Sequence, residues 1–404
     1  MKKIKELLMV TVSGQDRPGI TAAFTKILAE NNVEIVDIEQ ASPQDLLGLY
    51  FLLDIKNAYN NNDSVIKELL YESNKLGLNL QFKLYSKNEI KHYSNKNLYI
   101  INLFGGTKTL SEVSKVLSEE NINIESISTL YCFGQRTIEM KVKAPFEDKL
   151  SRFKRNLMLK SHELEFDISI QKLDAYRKNK RLIFFDMDST LLDMEIIDEI
   201  AKKIDTLPEI ARITQKAMRG DIEFEDALKQ RIALIKGVSI NILNDIKNSI
   251  VLSNGVSELI KVLKYLGYKI GIITGGFSFF ADQLKKDLEL DYSFANELEI
   301  KDEKITGNLS GPIIDAQAKA RILNKTAFKN NIPLDQVVAI GDGANDSLML
   351  GQAGLGIAYN AKKTLKKIAN TTIQKNKLKN ILILLGITEG DLEEVSNIIY
   401  DDHD

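Results

Sequence analysis

Residues 181–192 read Arg-Leu-Ile-Phe-Phe-Asp-Met-Asp-Ser-Thr-Leu-Leu, and the longest predicted domain is built around this stretch. The four consecutive apolar residues 182–185 are too few for a helix and rich in Ile and Phe, which is typical of a buried parallel strand. The strand ends at two carboxylates, Asp186 and Asp188. Because ligands of open α/β sheets bind outside the carboxyl ends of the strands, these side chains are expected at the mouth of a site.

Two later segments repeat this arrangement of a strand that ends in polar residues. The apolar run 268–273 leads into Thr-Gly-Gly at 274–276, and the run 337–340 leads into Gly-Asp-Gly-Ala-Asn-Asp at 341–346. If the three strands are parallel neighbours, one crevice receives Asp186, Asp188, Thr274, Asp342 and Asp346. Such a cluster of carboxylates repels itself unless a cation lies in it. Mg²⁺ fits best, because it is usually held by one or two carboxylates together with water and phosphate oxygens.

Residues needed for other kinds of hydrolysis are scarce in this chain. The only histidines are His92, His162 and His403, and the only cysteine is Cys132, so none of them lies near the predicted strand ends. Histidine-based triads and zinc sites are therefore not expected. A carboxylate nucleophile assisted by a metal ion remains, and this combination suits phosphoryl transfer.

Length and composition indicate a cytoplasmic protein of several domains. The 404 residues suggest two or three domains, and 44% of them are hydrophobic. Because 54 basic side chains stand against 56 acidic ones, neither a nucleic acid nor a membrane surface is an expected partner. The apolar run near the start is too short for a signal peptide, and residues 381–387 are too few to span a bilayer. A single cysteine agrees with a reducing compartment.

The first 174 residues contain an internal repeat. Residues 24–35 align with residues 113–124, and each copy reads strand, glycine turn, amphipathic helix and strand before further strand-like runs. Two βαββαβ units, ferredoxin-like in topology, are the simplest interpretation.

The turn at residues 14–20 of the first copy, Gly-Gln-Asp-Arg-Pro-Gly-Ile, resembles the signature turn of ACT domains. Backbone amides at the start of the following helix could accept a carboxylate, and Asp16 could bind an ammonium group. An amino acid is therefore the expected ligand, with Asp16 and Gly19 at its site. A second explanation stays open, in which Pro18 and Gly19 only start a helix. The second copy lacks the Asp and the Pro, so we expect a degenerate unit that serves as a packing partner.

Four segments in order resemble the motifs of the haloacid dehalogenase superfamily: residues 186–190, residues 274–276, Lys319 and residues 341–346. The similarity covers roughly residues 180–386. It implies that Asp186 is the nucleophile, a role that the residue chemistry also suggests, and that Asp188 acts as general acid and base. It further implies that Lys319 neutralises charge on the phosphate. The phosphate oxygens would meet the hydroxyl of Thr274, where the superfamily more often has Ser, and the backbone amide of Gly275.

The predicted metal ligands are the side chains of Asp186 and Asp342 and the backbone carbonyl of Asp188, with Asp346 behind them or at a water ligand. Asn345 is expected to contact the substrate. Taken alone, residues 341–346 could be an ordinary turn, but Asp346 stands where a dinucleotide-binding loop needs Gly or Ala. A calcium loop starting at Asp186 is excluded by Leu191 and Ile197, which stand where it needs Gly and Glu.

Residues from about 195 to 255 read as helices, at 208–219, 224–235 and 239–250, and are expected to cap the strand ends. Glu195 and Arg231 make the chain similar to the phosphoserine phosphatase branch of the superfamily. The resemblance implies that they bind the ammonium and carboxylate of an amino acid, beside an apolar wall of Met218 and Phe224. Without this resemblance, a Glu and an Arg on helical segments would be interpreted as a solvated ion pair.

Four segments are predicted: an ACT-like domain at 1–90, a degenerate ACT-like domain at 95–174, a phosphatase domain at 178–390 and an acidic tail at 391–404. The expected fold class is α/β, with a Rossmann-like parallel sheet and a helical cap after the two ferredoxin-like units. The expected activity is Mg²⁺-dependent hydrolysis of O-phosphoserine through an aspartyl phosphate, by a homodimer with serine as effector. Two alternatives stay open: a phosphatase for another small ester such as phosphothreonine, and an inactive amino-acid-binding regulator.

Overall fold

The computed structural model describes residues 6–56, 58, 62–86, 97–132, 135–144, 147–361, 365, 369, 371–374 and 377–394. The chain divides into two compact units, Met1–Asn95 and Lys96–Asp404. The predicted boundary at 90–95 and residues 395–404 of the predicted tail lie outside the described residues. Within the described part, no helix is both long enough and apolar enough to cross a bilayer.

The first unit is a βαββαβ fold, as the sequence predicts. Its elements are β1 (Glu6–Gln15), α1 (Ile20–Glu30), β2 (Glu34–Ala41), β3 (Leu46–Asp54), α2 (Asn62–Lys75) and β4 (Asn79–Ser86). The strands form an antiparallel sheet in the order β2-β3-β1-β4. Val10 pairs with Phe51 across β1 and β3, and both side chains pack with Phe24 of α1. Alternation along β1 and β3 therefore gives the sheet one apolar face for its helices.

The second copy opens the second unit and repeats the topology of the first. Its elements are β5 (Leu98–Phe104), α3 (Thr107–Glu119), β6 (Asn123–Cys132), β7 (Gln135–Lys143), α4 (Glu147–Glu163) and β8 (Asp167–Lys172). Their order β6-β7-β5-β8 matches that of the first copy. A register shift follows Ile35 in β2 and the aligned Ile124 in β6. The internal repeat is thus confirmed down to this irregularity.

The remaining chain forms the predicted α/β domain. Its strands are β9 (Leu182–Phe185), β10 (Lys269–Phe277), β11 (Tyr292–Lys301), β12 (Lys304–Ser310), β13 (Val337–Gly341), β14 (Leu355–Tyr359) and β15 (Thr371–Ile373). Its helices are α5 (Ile196–Lys203), α6 (Leu207–Arg219), α7 (Phe224–Leu234), α8 (Ile240–Asn248), α9 (Val256–Tyr265), α10 (Ser278–Asp287), α11 (Ala316–Lys329), α12 (Ser347–Gln352) and α13 (Asn380–Leu384). The strand order is β12-β11-β10-β9-β13-β14-β15, with only the β11–β12 hairpin antiparallel.

Strand β9 lies at the centre of this sheet and is buried on both faces. Ile183 and Phe185 pack into one core layer, whereas Leu182 and Phe184 pack into the other. Because helices cover both faces, the strand needs apolar side chains at every position, which explains its unbroken apolar run. Burial of each side chain contributes about 1.5–3 kcal/mol of stability.

Helices α5–α8 make up the predicted helical segment between β9 and β10. The ends of α6, α7 and α8 lie within two residues of the predicted ones. The β11–β12 hairpin supports this segment, because Gly237 N donates to Ile305 O at 2.8 Å and Ile240 N to Glu303 O at 2.9 Å. The helical segment is therefore fastened to the sheet by backbone hydrogen bonds as well as by its own apolar side chains.

The second βαββαβ copy and the α/β domain share one continuous sheet of eleven strands. Strand β8 pairs antiparallel with β15, and Thr371 lies opposite Ser169. Their hydroxyl oxygens are 2.8 Å apart, and Gln171 Nε2 donates to Leu384 O at 3.1 Å. The sequence predicts a domain boundary at 174–178, but the sheet continues across it. Both pairing strands are short, and nothing in either strand indicates its distant partner.

Candidate active site

The register of the sheet brings three strand ends to the same level. Phe185 lies opposite Ile272 on one side and Ile340 on the other, and Asp186 N donates to Ile340 O at 2.9 Å. In each strand, the regular pairing with its neighbours therefore ends just before the polar residues. Asp186, Thr274 and Asp342 consequently emerge at one edge of the sheet.

Lys319 joins two of the carboxylates at this edge. Its Nζ lies 2.8 Å from Asp186 Oδ2 and 2.7 Å from Asp346 Oδ1, and its side chain is fully buried. The amino end of α11, which carries Lys319, is capped by Asp315, whose side chain accepts from Ala318 N at 2.6 Å. Burial opposes the ammonium charge, but Asp186 and Asp346 raise the pKa of Lys319 above its usual range. The lysine is therefore a fixed cation beside Asp186.

Three carboxylates at the strand ends form a candidate metal site. One oxygen from each of Asp186, Asp342 and Asp346 lies within 4.8 Å of the others. Burial and the charges of Asp186 and Asp346 raise the pKa of Asp342 to about 8. Burial and the charge of Asp186 raise the pKa of Asp346 to about 7, against the effect of Lys319. Asp342 and Asp346 therefore resist ionisation at neutral pH without a cation, and the hard oxygen donors of the cluster fit a small divalent one.

Asp188 lies two residues beyond the nucleophile candidate and is held in place from two sides. Its Oδ1 accepts from Ile196 N at 3.1 Å. A Cβ placed on Gly276 would lie only 2.7 Å from its Oδ2, so the lack of a side chain lets the β10 turn approach the carboxylate. Burial, Glu195 and Asp186 raise the pKa of Asp188 well above its usual range. This shift favours the protonated form of Asp188, from which a proton can be donated.

The irregular turn within β10, at residues 274–276, is a candidate phosphate-binding loop. Thr274 is 1% exposed, and its Oγ1 accepts from Gly276 N at 2.9 Å, which leaves the hydroxyl proton available to a ligand. A Cβ on Gly275 would lie 3.3 Å from Cζ of Phe224, which belongs to α7. The helical segment thus reaches the loop through Phe224.

Glu195 and Arg231, the predicted contacts for an amino acid, share one electrostatic environment. Ser189 donates its hydroxyl to Glu195 Oε1 at 2.7 Å, and Arg231 Nε donates to Ala227 O at 3.4 Å. Burial lowers the pKa of Arg231, whereas Glu195 opposes this shift. The charge of Glu195 also raises the pKa of Asp188. The structure therefore brings Glu195 close to both the candidate acid and the candidate carboxylate anchor.

The other predicted site residues lie in less constrained positions. Asn345 is half-buried in the turn Ala344–Asp346, and its Oδ1 lies over Gly343. Met218 is 60% exposed near the end of α6. The predicted apolar wall would therefore be formed mainly by Phe224. The structure also shows contacts that sequence reasoning missed, from Ser189 to Glu195 and from Asn296 to Gly275. Asn296 interrupts an alternating strand at a buried position, and this break in the pattern was the available signal.

The turn at residues 14–20 of the first unit contains both residues that are predicted to bind an amino acid, Asp16 and Gly19. Asp16 accepts a hydrogen bond from the hydroxyl of Ser42, and its backbone N donates to Asp45 O at 2.8 Å. Gly19 begins α1 with a φ of 99°, a conformation that other residues rarely adopt. The glycine is therefore required by the turn whether or not a ligand binds there.

The parallel sheet, the acidic strand ends and the buried lysine define a haloacid dehalogenase-like hydrolase. A model of that family matches residues 180–354, and a model of the ACT domain matches residues 6–83. A haloacid dehalogenase family hydrolase from Salmonella enterica serovar Typhi has a similar structure, with a TM-score of 0.61 and 32% identity. The similarity covers 71% of this chain and 98% of that one.

Two curated relatives extend the comparison. Phosphoserine phosphatase SerB2 of Mycobacterium tuberculosis is 32% identical over 96% of this chain and 95% of its own length. A phosphoserine phosphatase of Archaeoglobus fulgidus is 46% identical over 58% of this chain and 68% of its own length. The chain therefore belongs to the phosphoserine phosphatase family.

Proposed function

We propose that this chain hydrolyses O-phosphoserine to serine and phosphate, the last step of serine synthesis, through a phosphoenzyme on Asp186. The observation that carries the proposal is the buried ion pair of Lys319 with Asp186, which lies at the strand ends two residues before Asp188, a carboxyl group whose pKa is raised by burial and by Glu195. The family membership supports the same substrate. An inactive regulator would have no need of a buried lysine and four carboxylates assembled in this way.

Mg²⁺ is the proposed cofactor. Asp186, Asp342 and the backbone carbonyl of Asp188 would hold it, with Asp346 behind them, and the close approach of three carboxylates supports this assignment. When bound, the ion would neutralise negative charge on the carboxylates and on the phosphate. Oxygen ligands of this kind suit Mg²⁺ better than a soft transition metal.

In the first step, a carboxylate oxygen of Asp186 attacks phosphorus, and the bond from phosphorus to the serine oxygen breaks. Asp188 gives its proton to the leaving oxygen, which departs as the hydroxyl of serine. The N–H of Met187 donates to Asp186 Oδ1 at 2.7 Å, and Lys319 contacts Oδ2, so the carboxylate is oriented before the substrate arrives. This preorganisation lowers the barrier without a rearrangement during the reaction.

In the second step, Asp188 takes a proton from water, and the water oxygen attacks the phosphorus of the aspartyl phosphate. The bond from phosphorus to Asp186 breaks, and phosphate leaves. Thr274, Gly275 and Lys319 would contact the phosphate oxygens in both steps. The same side chain thus serves first as acid and then as base, which requires a pKa near neutrality, and the raised pKa of Asp188 supports this role.

Glu195 and Arg231 would bind the ammonium and carboxylate of the serine moiety, with Asn345 and Phe224 nearby. Ser189 holds Glu195, and Arg231 is half-buried on α7, so both charges are positioned in the free protein. A carboxylate that meets a partly buried guanidinium forms a stronger contact than one in water.

Release of phosphate from O-phosphoserine tests the proposed function directly. We expect turnover with Mg²⁺, none after chelation, and slower turnover of O-phosphothreonine. The same assay with added serine tests the proposed effector site at Asp16 and Gly19. Full activity in the presence of a chelator would exclude the metal, and equal rates for several unrelated esters would exclude phosphoserine as the dedicated substrate.

Arg231→Ala is expected to lower kcat/KM for O-phosphoserine about tenfold to a hundredfold, because a hydrogen bond to a charged group is worth about 1.5–3 kcal/mol. O-Phosphoethanolamine has the ammonium but lacks the carboxylate, so its turnover should change little. Lys229→Ala is the matched control, since Lys229 is an exposed cation on the same helix and pairs with Glu225. An unchanged ratio between the two esters in Arg231→Ala would show that Arg231 does not bind the carboxylate.

We also propose a homodimer and a cytoplasmic location. Strand β2 lies at the edge of the first sheet, and a strand edge can pair with a second chain. The single cysteine of the chain supports a reducing compartment. We further propose that domain boundaries lie at about residues 90–95 and 174–178.

A further inference from the structure

The proposed phosphate-binding loop is an irregularity in the sheet. Ile273 of β10 pairs with Phe294 of β11, and the next pair is Phe277 with Asn296. Residues 274–276 therefore stand opposite the single residue Ala295, and the backbone of β10 leaves the regular ladder over this turn. Because buried peptide groups need hydrogen-bond partners, the carbonyl of Gly275 requires a donor from another source.

The side chain of Asn296 provides that donor. Its Nδ2 donates to Gly275 O at 2.8 Å, and its Oδ1 accepts from Ile314 N, also at 2.8 Å. The side chain is 1% exposed and lies on the same face of β11 as the buried Leu298. A buried amide at a position suited to an apolar residue is costly unless both of its ends are paired, as they are here.

The two hydrogen-bond partners of Asn296 belong to the two elements that would bind the phosphoryl group. Gly275 follows Thr274 in the irregular turn within β10, and Ile314 precedes Asp315, which caps the helix that carries Lys319. A Cβ on Gly275 would lie 3.6 Å from Ile314 O, so the two backbones run side by side. Asn296 therefore sets the distance between them through one rigid amide.

We propose that Asn296 is a positioning residue that holds the Gly275 peptide and the start of α11 in the geometry needed to bind the transferring phosphoryl group. It touches neither the substrate nor the reacting atoms and acts through Gly275 and Lys319. The proposal rests on the proposed phosphatase function, because it concerns the same site.

The chemistry of the amide makes the proposal specific. Asparagine is the side chain of this length that donates at one atom and accepts at the other. In Asn296→Asp the shape and the acceptor for Ile314 are kept, but a carboxylate replaces the donor and faces the carbonyl of Gly275. In Asn296→Leu the volume is similar, and both hydrogen bonds are lost.

The test compares Asn296→Asp and Asn296→Leu with the wild type in the full-length protein. We expect kcat for O-phosphoserine to fall about a hundredfold, the loss typical of a displaced binding group, while KM changes less. The inhibition constant of inorganic phosphate should rise about tenfold in both variants. Melting temperatures are recorded for each variant. If Asn296→Leu does not fold, Asn296→Asp still tests the proposal.

Asn330→Ala is the control for loss of a half-buried, hydrogen-bonded amide. Asn330 accepts from Lys269 Nζ at 2.6 Å and from Tyr292 Oη at 2.9 Å, at the start of β10 and β11 away from the site. We expect a lower melting temperature with unchanged kcat and phosphate inhibition. If the Asn296 variants behave in the same way, the role of Asn296 is structural and the proposal is wrong. If the wild type itself does not hydrolyse O-phosphoserine, the proposed function fails, whereas phosphate inhibition measured with 4-nitrophenyl phosphate still tests Asn296.

Discussion

Asp186→Asn is expected to abolish turnover, with a fall in kcat of about ten-thousandfold or more, because an amide cannot act as the nucleophile. The change also removes one of the two negative partners of Lys319, whose Nζ lies 2.8 Å from Asp186 Oδ2 and 2.7 Å from Asp346 Oδ1. Acid quenching of the enzyme during turnover of ³²P-labelled O-phosphoserine should trap a labelled protein in the wild type and none in the variant. Phosphate release measured in parallel gives the rate.

Asp335→Asn is the control for this substitution. Asp335 is an exposed carboxylate that precedes β13, at the end of the strand opposite to Asp342. It should keep wild-type turnover and labelling. If Asp186→Asn keeps measurable labelling at the wild-type level, the phosphoryl group is carried by another residue, and the mechanism with Asp186 as nucleophile has to be abandoned.

Asp188→Asn is expected to lower kcat for O-phosphoserine by about a hundredfold to ten-thousandfold, the usual contribution of a general acid or base. The loss in the first step should be much smaller for 4-nitrophenyl phosphate, because its leaving group needs no proton. Water would still lack a base in the second step, so the phosphoenzyme should accumulate with this ester. A burst of 4-nitrophenolate followed by slow turnover is the measurement that shows it.

Asp193→Asn serves as the comparison, since Asp193 is exposed and lies in the same loop as Asp188. It should show neither the burst nor the loss of turnover. Equal losses for both esters in Asp188→Asn, without a burst, would mean that Asp188 has a role in binding or folding rather than in proton transfer.

Much of the fold follows from local patterns in the sequence. The apolar run at 182–185 and the helical periodicity between 195 and 255 identify a buried strand and a helical segment, because side-chain period reports burial directly. The repeat in the first part of the chain likewise predicts two βαββαβ units, and the structure has both. Parallel strands that end in acidic residues need only be neighbours for Asp186 and Asp342 to meet, so part of the site was also predictable.

The sequence by itself therefore determined the strands, the helices and the acidic strand ends of this protein, because these depend on residues close together in the chain. Only the tertiary structure decided that β8 pairs with β15 to extend the sheet to eleven strands. It alone decided that Asn296 bridges Gly275 and Ile314. Both features join residues far apart in sequence through single hydrogen bonds or short ladders. Such contacts leave no periodic trace, and their geometry exists only once the surrounding core has formed.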